Sequence, residues 1–275
     1  MVQIKDVPQR RLFRFGLILC LSFLFNHPVL AVSPSSCRGE NFDDHVRIKD
    51  VIDGDTVILE SGEHIRLIGI DTPEIDHEGS ASEPGAEAAR NYLVQLLHHT
   101  DNNRYPISFG QEKYDRYGRT LAYLFLPDDS SIQALILLQG YATPLTMPPN
   151  LRYLDCYQKS ADEAFKKQRG VWSLPQYRPV DVDDLTGNER GYHLVQGIVS
   201  HVSQNRTSIW LNFDRVFAVR IQRTNLQYFE GWDLENLGGE TIRVRGKIYK
   251  HNRQLRMYLS HGADIQHLLN KGGTR

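Results

Sequence analysis

The feature that most constrains the fold is a close succession of three β-rich segments, at residues 45–49, 56–59 and 65–70. The first alternates polar and apolar side chains, and the other two are rich in β-branched and aliphatic residues. A Ser-Gly-Glu turn at 61–63 separates the last two, and Pro73 ends the third. Because these connections are too short to contain a helix, the pattern predicts a three-stranded antiparallel meander.

The segments after this meander alternate in type. Apolar residues at helical spacing and regions of β-rich sequence define them. The predicted elements are a helix opened by Pro84, strands at 105–109 and 119–126, and helices at 131–139 and 150–169. The order β-β-β-α-β-β-α-α predicts a small β-barrel with helical additions over residues 45–173.

Residues 174–190 break all periodicity, and we predict that they form a linker. Five short β-rich segments follow between 191 and 270, with one helix-like stretch at 223–236 between the third and fourth. Five strands with a helix after the third fit a second, OB-like barrel in this C-terminal domain.

The N-terminus has the composition of an export signal. Four basic residues precede an 11-residue apolar run at 15–25, and small residues lead to Ala31. We predict a signal peptide over 1–31, an N-terminal extension over 32–44, and a secreted or periplasmic protein. The alternative is a membrane anchor, but the apolar run is shorter than the roughly 20 residues that a spanning helix needs. We therefore expect no stable membrane association after cleavage.

The cysteine count bears on the compartment. Cys20 lies in the predicted signal peptide, which leaves Cys37 and Cys156 in the mature chain. An even number of cysteines in an exported protein suggests a disulfide between these two. Two free thiols are the alternative.

Acidic residues gather where the predicted strands end. Asp53 and Asp55 flank a glycine, and Asp71, Thr72 and Glu74 lie around the proline that ends the third strand. These positions fall on the rim of a barrel, where several carboxylates offer hard oxygen ligands to a divalent cation. Ca²⁺ suits such an all-oxygen, partly hydrated site.

Arginines accompany these acids. Arg66 lies in the third strand, and Arg119 ends an Asp-Arg-Tyr-Gly-Arg sequence at 115–119. A guanidinium group grips phosphoryl oxygens bidentately and keeps its charge. Taken separately, each motif also fits a turn or a surface ion pair. Together, acids, a cation and two arginines favour phosphoryl chemistry, in which a carboxylate positions or deprotonates water.

At these motifs the sequence resembles the staphylococcal nuclease-like (thermonuclease) family. The resemblance extends over residues 45–173, through Gly170-Val171-Trp172 after the last helix. It implies an OB-type barrel with three helices over these residues. Together with the second OB-like barrel predicted from the strand pattern, this gives an α+β chain that is mainly β with helices. The resemblance also implies a nuclease that uses one Ca²⁺ ion, hydrolyses DNA or RNA at the 5′ P–O bond and leaves 3′-phosphates.

The resemblance assigns roles position by position. Asp55 and Asp71 match the metal-binding carboxylates, Thr72 a backbone-carbonyl ligand, and Asp53 a residue just outside the metal's immediate ligands. Glu74 matches the water-activating base. The positions that match phosphate contacts are Arg66 and Arg119, which also contact the transition state, together with Arg116 and Tyr117.

One departure from the family concerns the base. Residues 141–148 lack the tyrosines that stack on the nucleotide in the best-known member. Base preference therefore does not follow from the resemblance.

The C-terminal domain offers a second nucleic-acid hypothesis. The net charge of −1 excludes a general polycation, yet residues 186–275 carry 13 Lys and Arg against seven Asp and Glu. Arg243, Arg245 and Lys247 alternate along one predicted strand, and aromatic residues are frequent. Such a barrel is a common platform for single strands, although the aromatics can equally belong to the core.

Two functions follow from these observations. We expect a monomeric, exported nuclease with a nucleic-acid substrate. The alternative is a non-catalytic module of two OB-like barrels that binds nucleic acid or protein.

Overall fold

The computed structural model describes residues 37–76, 79, 81–98, 103–213 and 216–268. The predicted signal peptide lies outside these residues. The strands of the first half are β1 (Asp44–Val46), β2 (Ile48–Val51), β3 (Thr56–Leu59), β4 (His64–Leu67), β5 (Ile70–Asp71), β6 (Tyr105–Tyr114), β7 (Thr120–Leu124) and β8 (Thr143–Pro144).

Six of these strands form one curled sheet in the order β1-β6-β7-β4-β3-β2. Its two edge strands, β1 and β2, are consecutive pieces of the chain, so the sheet is a five-stranded barrel whose first strand is split. All neighbours are antiparallel except β4 and β7, which run parallel with Arg66 opposite Leu121. The expected OB-type barrel is confirmed.

Three helices cover the barrel: α1 (Ala86–His98), α2 (Ile132–Leu138) and α3 (Leu154–Lys166). Helix α1 begins two residues after Pro84, the predicted start. Helix α2 begins where the Ser131 side chain accepts a hydrogen bond from the Ala134 backbone nitrogen. Their buried faces close the first core together with Trp172.

The N-terminal extension is attached to α3. Cys37 and Cys156 are joined as a disulfide, with their Cα atoms 5.7 Å apart. Both residues are buried in the first core. The extension then continues into β1, which pairs with β6.

The second half repeats the barrel topology. Its sheet has the order β11-β12-β13-β15-β14-β10-β9, and the split first strand, β10 and β11, again supplies both sides of the barrel. The parallel pair is β13 with β15. The strands are β9 (Val180–Asp181), β10 (Gly191–Ile198), β11 (His201–Gln204), β12 (Ser208–Asn212), β13 (Phe217–Gln222), β14 (Thr241–His251), β15 (Gln254–Leu259) and β16 (Ile265–His267).

The helix-like stretch predicted at 223–236 is not one continuous helix. Two short 3-10 helices, Arg223–Tyr228 and Leu234–Asn236, occupy it. Gly231 lies between them with φ +81°, a conformation that interrupts a right-handed helix.

The segment predicted as a linker, 174–190, packs against both barrels. Tyr177 is buried in the first core, whereas Val182 is buried in the second. Between them, β9 pairs with β10. The two barrels thereby belong to one compact unit.

Polar contacts join the barrels directly. Asp264 accepts a hydrogen bond from the Thr146 hydroxyl at 3.2 Å, and the Ser260 hydroxyl donates to the Thr146 carbonyl at 2.7 Å. Arg245 on β14 lies 3.7 Å from Asp162 on α3 and 3.2 Å from Asp264. Among the described helices, none has the length and apolar character to cross a bilayer.

Candidate active site

The carboxylates of the site are brought together by two glycines. Gly54, between Asp53 and Asp55, packs so closely that a Cβ atom would lie 2.7 Å from the Thr72 side chain. Gly69 has φ +85° and turns the chain from β4 into β5, where a Cβ atom would lie 2.5 Å from the Tyr157 ring. Only glycine fits either position, and the close approach sets the Asp53–Asp55 turn against Thr72.

Asp55 is the buried centre of this arrangement. One of its carboxylate oxygens accepts a hydrogen bond from the Thr72 backbone nitrogen at 2.9 Å, and the other accepts from the Thr56 hydroxyl at 3.1 Å. Asp53 accepts from the Asp55 backbone nitrogen at 2.9 Å, which holds the turn closed. Burial raises the pKa of Asp55, and the Arg66 guanidinium opposes that effect.

Arg66 links the two acids that the resemblance assigns to the metal. Its Nη2 lies 3.0 Å from Asp55 and 3.4 Å from Asp71. Its Nη1 donates to the carbonyls of Leu67 and Ile70, at 2.6 and 2.9 Å. The guanidinium is therefore held by the backbone on one side, and its other side faces both carboxylates.

Glu74 lies beside this cluster on an exposed segment. Its backbone nitrogen donates to the Glu83 carboxylate at 3.0 Å, and its carbonyl accepts from the Glu83 backbone nitrogen at 2.9 Å. Partial burial raises the pKa of Glu74, as do the negative charges of Asp55 and Asp71. Lys247 and then Arg66 oppose the shift. The charges of Asp55, Asp71, Lys247 and Arg66 therefore all act on the Glu74 carboxylate.

The second arginine sits on the turn between β6 and β7. Asp115 closes this turn by accepting hydrogen bonds from the backbone nitrogens of Tyr117 and Arg119, at 2.8 and 2.9 Å. It also binds the Arg119 side chain at 2.7 Å. Desolvation acts in the opposite direction, but these hydrogen bonds hold the pKa of Asp115 below its usual value.

Arg116 and Tyr117 occupy the exposed tip of that turn. Arg116 donates to the Tyr117 hydroxyl at 2.5 Å, and its guanidinium lies 4.7 Å from the ring centroid. The Arg119 guanidinium lies 5.6 Å from the same ring. Leu121, two residues after Arg119 along the chain, pairs with Arg66, so the turn that carries Arg119 leads into the strand beside β4.

The structure thus forms two groups. Hydrogen bonds and ion pairs join Asp53, Asp55, Arg66, Asp71 and Thr72 into one cluster, with Glu74 beside it. Arg116, Tyr117 and Arg119 form the second group, in which Arg119 is paired with Asp115 and not with an acid of the first.

Sequence reasoning did not place Lys247 in this site. Lys247 comes from β14 of the second barrel, and its Nζ lies 2.8 and 3.0 Å from the two carboxylate oxygens of Asp71. The sequence marks it only as one cation of an alternating strand. Of the other two, Arg245 is engaged in the contact between the barrels, and Arg243 donates to Gln196.

The donor set of the first cluster suits a hard cation. Asp55 and Asp71 supply carboxylate oxygens on either side of Arg66, and the contact of Thr72 with this cluster is made by its backbone nitrogen, which donates to Asp55. Over the described ranges, no three His, Cys, Asp or Glu side chains are gathered as a ligand group. Carboxylate oxygens are ligands that suit Ca²⁺, which commonly completes its coordination with water.

Comparison with known proteins decides the family. A sequence profile described as Staphylococcal nuclease homologue matches residues 64–174. The Thermonuclease of Staphylococcus intermedius is 36% identical over 143 residues, which cover 51% of this chain and 80% of that protein. The chain belongs to the staphylococcal nuclease family.

Other relatives are also nucleases by name. The Thermonuclease of Staphylococcus hyicus is 30% identical over 126 residues, 45% of this chain and 72% of the relative. Endonuclease YncB of Bacillus subtilis is 29% identical over 138 residues, 48% of this chain and 64% of the relative. The profile match ends at residue 174, before the second barrel begins. Lys247 therefore lies outside the part of the chain that matches the family.

Proposed function

We propose that this protein is an exported, Ca²⁺-dependent nuclease that hydrolyses DNA or RNA at the 5′ P–O bond and leaves 3′-phosphates. The observation that carries the proposal is the Arg66 cluster: one guanidinium between two carboxylates, within a barrel of the nuclease family. Two carboxylates without a nearby cation would repel a phosphodiester, whereas this grouping combines oxygen ligands with a phosphate-binding side chain.

Asp55 and Asp71, with the Thr72 carbonyl, would hold the Ca²⁺ ion. Asp53 would support them by keeping the Asp55 turn closed. When bound, the ion supplies positive charge that offsets the charge of the phosphodiester. The oxygen-only donor set and the close approach at Gly54 support this assignment.

Glu74 would act as the general base. Its carboxylate takes a proton from water while the water oxygen forms the new bond to phosphorus. The bond from phosphorus to the 5′ oxygen breaks, and that oxygen leaves with a proton from solvent. The position of Glu74 beside the proposed ligands Asp55 and Asp71 supports the role, because a general base must lie within reach of the water that it activates.

The arginines would bind the phosphate. Arg66 lies in β4 and Arg119 on the turn that leads into β7, the neighbouring strand, and their charges would stabilise the extra negative charge of the pentacovalent transition state. Arg116 and Tyr117 would contact a phosphate at the exposed tip of the turn. Arg119 is oriented for this by the Asp115 ion pair.

Export is supported by the covalent structure. Cys37 and Cys156 form a disulfide, and disulfides persist mainly in oxidising compartments outside the cytosol. With the predicted signal peptide at 1–31, it points to a secreted or periplasmic enzyme. The monomeric state stays a prediction.

The test is digestion of end-labelled single- and double-stranded DNA and RNA, with Ca²⁺ or with EDTA, followed by end-group analysis. Arg119→Ala is expected to lower kcat by about 100-fold or more, and Asp55→Ala to weaken the metal dependence. Arg47→Ala is the control, since Arg47 forms an exposed ion pair with Glu60.

Unchanged hydrolysis in either variant would refute the assigned roles. Binding of labelled strands without any product would favour the non-catalytic module instead.

A further inference from the structure

A groove of about 640 Å³ runs between the two barrels and begins at the candidate active site. Asp71 and Arg116 line it from the nuclease barrel, and Lys247, Tyr249 and Tyr258 line it from the second barrel. Its volume is in the range of ordinary ligand sites. The groove therefore connects a proposed metal ligand with the surface of the C-terminal barrel.

Beyond the groove, the same surface continues across four neighbouring strands. Register pairs Trp210 on β12 with Arg220 on β13, and Arg220 with Tyr258 on β15. Register also pairs Arg256 on β15 with Tyr249 on β14. Alternate residues of each strand are buried, so these side chains all point away from the core. We call Lys247, Trp210, Arg220, Tyr249, Arg256 and Tyr258 the outer strand face.

The outer strand face has the composition of a single-strand platform. Three of its members are cations and three are aromatic. Tyr249 and Tyr258 are 39% and 40% exposed, so their rings are accessible to a ligand. Neighbouring strands lie about 4.8 Å apart, so the face extends about 14 Å from β12 to β14.

Several of these side chains are held in place before any ligand arrives. The Tyr258 hydroxyl accepts from Asn225 at 2.6 Å and donates to Gln222 at 3.1 Å. The guanidinium of Arg256 lies 4.7 Å from the centroid of the Trp210 ring. Arg220 lies 5.7 Å from it and donates to Ser208 at 3.0 Å. Nucleobases stack on aromatic rings and on guanidinium planes, and fixed groups lose little freedom on binding.

We propose that the outer strand face and the groove bind single-stranded nucleic acid and lead it to the active site. This inference rests on the proposed nuclease function, because it treats the strand as the substrate. The cations neutralise the phosphates while the bases stack on the rings. The second barrel would thus supply the stacking contacts that residues 141–148 lack.

The test measures binding without cleavage. A labelled 16-nucleotide single strand, DNA or RNA, is titrated in EDTA, and its anisotropy gives Kd over a range of salt concentrations. Arg220→Ser with Arg256→Ser is expected to reduce the salt slope by about 1.4, because each lost phosphate contact removes about 0.7. Tyr258→Ser is expected to raise Kd by about fivefold or more.

The matched control is Arg47→Ser with Arg190→Ser, which removes the same charge from exposed positions outside the face. Its Kd is expected to stay within about twofold of the wild type, and melting temperatures verify folding. If the double variant of the face does not fold, Tyr258→Ser alone decides the binding.

Tryptophan emission gives an independent readout. The chain has three tryptophans, one of which is Trp210. When a single strand binds to the wild-type protein, stacking of a base on Trp210 is expected to quench the tryptophan fluorescence. Trp210→Phe is expected to remove that quenching and to bind within about twofold. A purely structural Trp210 would show no quenching in either protein.

Two results separate this inference from the proposed function. Wild-type affinity and salt slope in the variants of the face would overturn the inference, whether or not the enzyme cleaves the strand. Binding that depends on the face, without cleavage of the same strand in Ca²⁺, would support the inference and overturn the proposed function.

Discussion

Replacing Lys247 by methionine tests how the second barrel acts on the candidate metal site. The Lys247 Nζ lies 2.8 and 3.0 Å from the two oxygens of Asp71, a proposed Ca²⁺ ligand. Its ammonium group competes with the ion for these oxygens and repels it. Methionine keeps the unbranched shape and most of the length of the side chain but removes the charge, so the variant is expected to bind Ca²⁺ more tightly.

The size of the effect follows from exposure. The Lys247 side chain is 54% exposed, whereas that of Asp71 is 12% exposed. Solvent-exposed ion pairs contribute about 0.2–1 kcal/mol of stabilisation. Since Lys247 is only half exposed and Asp71 is mostly buried, we expect this pair to lie near the upper limit. A change of that size lowers the Kd for Ca²⁺ by about two- to fivefold.

The assay is calorimetric titration of the protein with Ca²⁺ in the absence of nucleic acid. Lys250→Met is the matched control on the same strand, because Lys250 donates to the Gly187 carbonyl at 3.0 Å, away from the acids. An unchanged or higher Kd in Lys247→Met, with the control at the wild-type value, would refute the reasoning.

Three further predictions concern the turn, the disulfide and the contact between the barrels. Asp115→Asn keeps a hydrogen-bond acceptor for the turn but removes the charge that orients Arg119; steady-state kinetics are expected to show kcat lowered by about tenfold, with KM nearly unchanged. Cys37→Ser with Cys156→Ser is expected to lower the free energy of unfolding by about 2–4 kcal/mol in urea titrations, since the bond closes a long loop. Burial raises the pKa of Asp264 to about 6, so the folded state retains a proton that the unfolded state has lost. The free energy of unfolding should therefore fall as pH rises from about 4 to 6, by at most about 3 kcal/mol, and Asp264→Asn should remove most of that fall in denaturant titrations across this range.

Much of each barrel could be predicted because the signals are local. The segments around β3, β4 and β7 carry their strand character within a few residues. The third predicted strand, 65–70, was wrong in one respect: Gly69, with φ +85°, turns the chain and divides the segment into β4 and β5. Ser131 marks the start of α2 by its own side chain. The type of helix at 223–236 was not predicted, because periodicity there does not distinguish a regular helix from two short 3-10 turns.

The candidate site could likewise be predicted only in part. Sequence alone determined which residue types could serve: the acids around Gly54 and Pro73, and the arginines whose chemistry suits phosphate. Only the tertiary structure decided which of them meet. Arg66 reaches Asp55 and Asp71 because the Gly69 turn folds β5 back beside the Asp53–Asp55 turn.

The role of Lys247 could not be found from sequence. It is separated from Asp71 by 176 positions, and the two meet only because contacts such as Arg245 with Asp162 join the barrels. Strand periodicity places Lys247 on the outward side of β14 but does not say what faces that side. Local patterns are set by the backbone and its neighbours, whereas the partner of an outward side chain depends on how whole barrels pack.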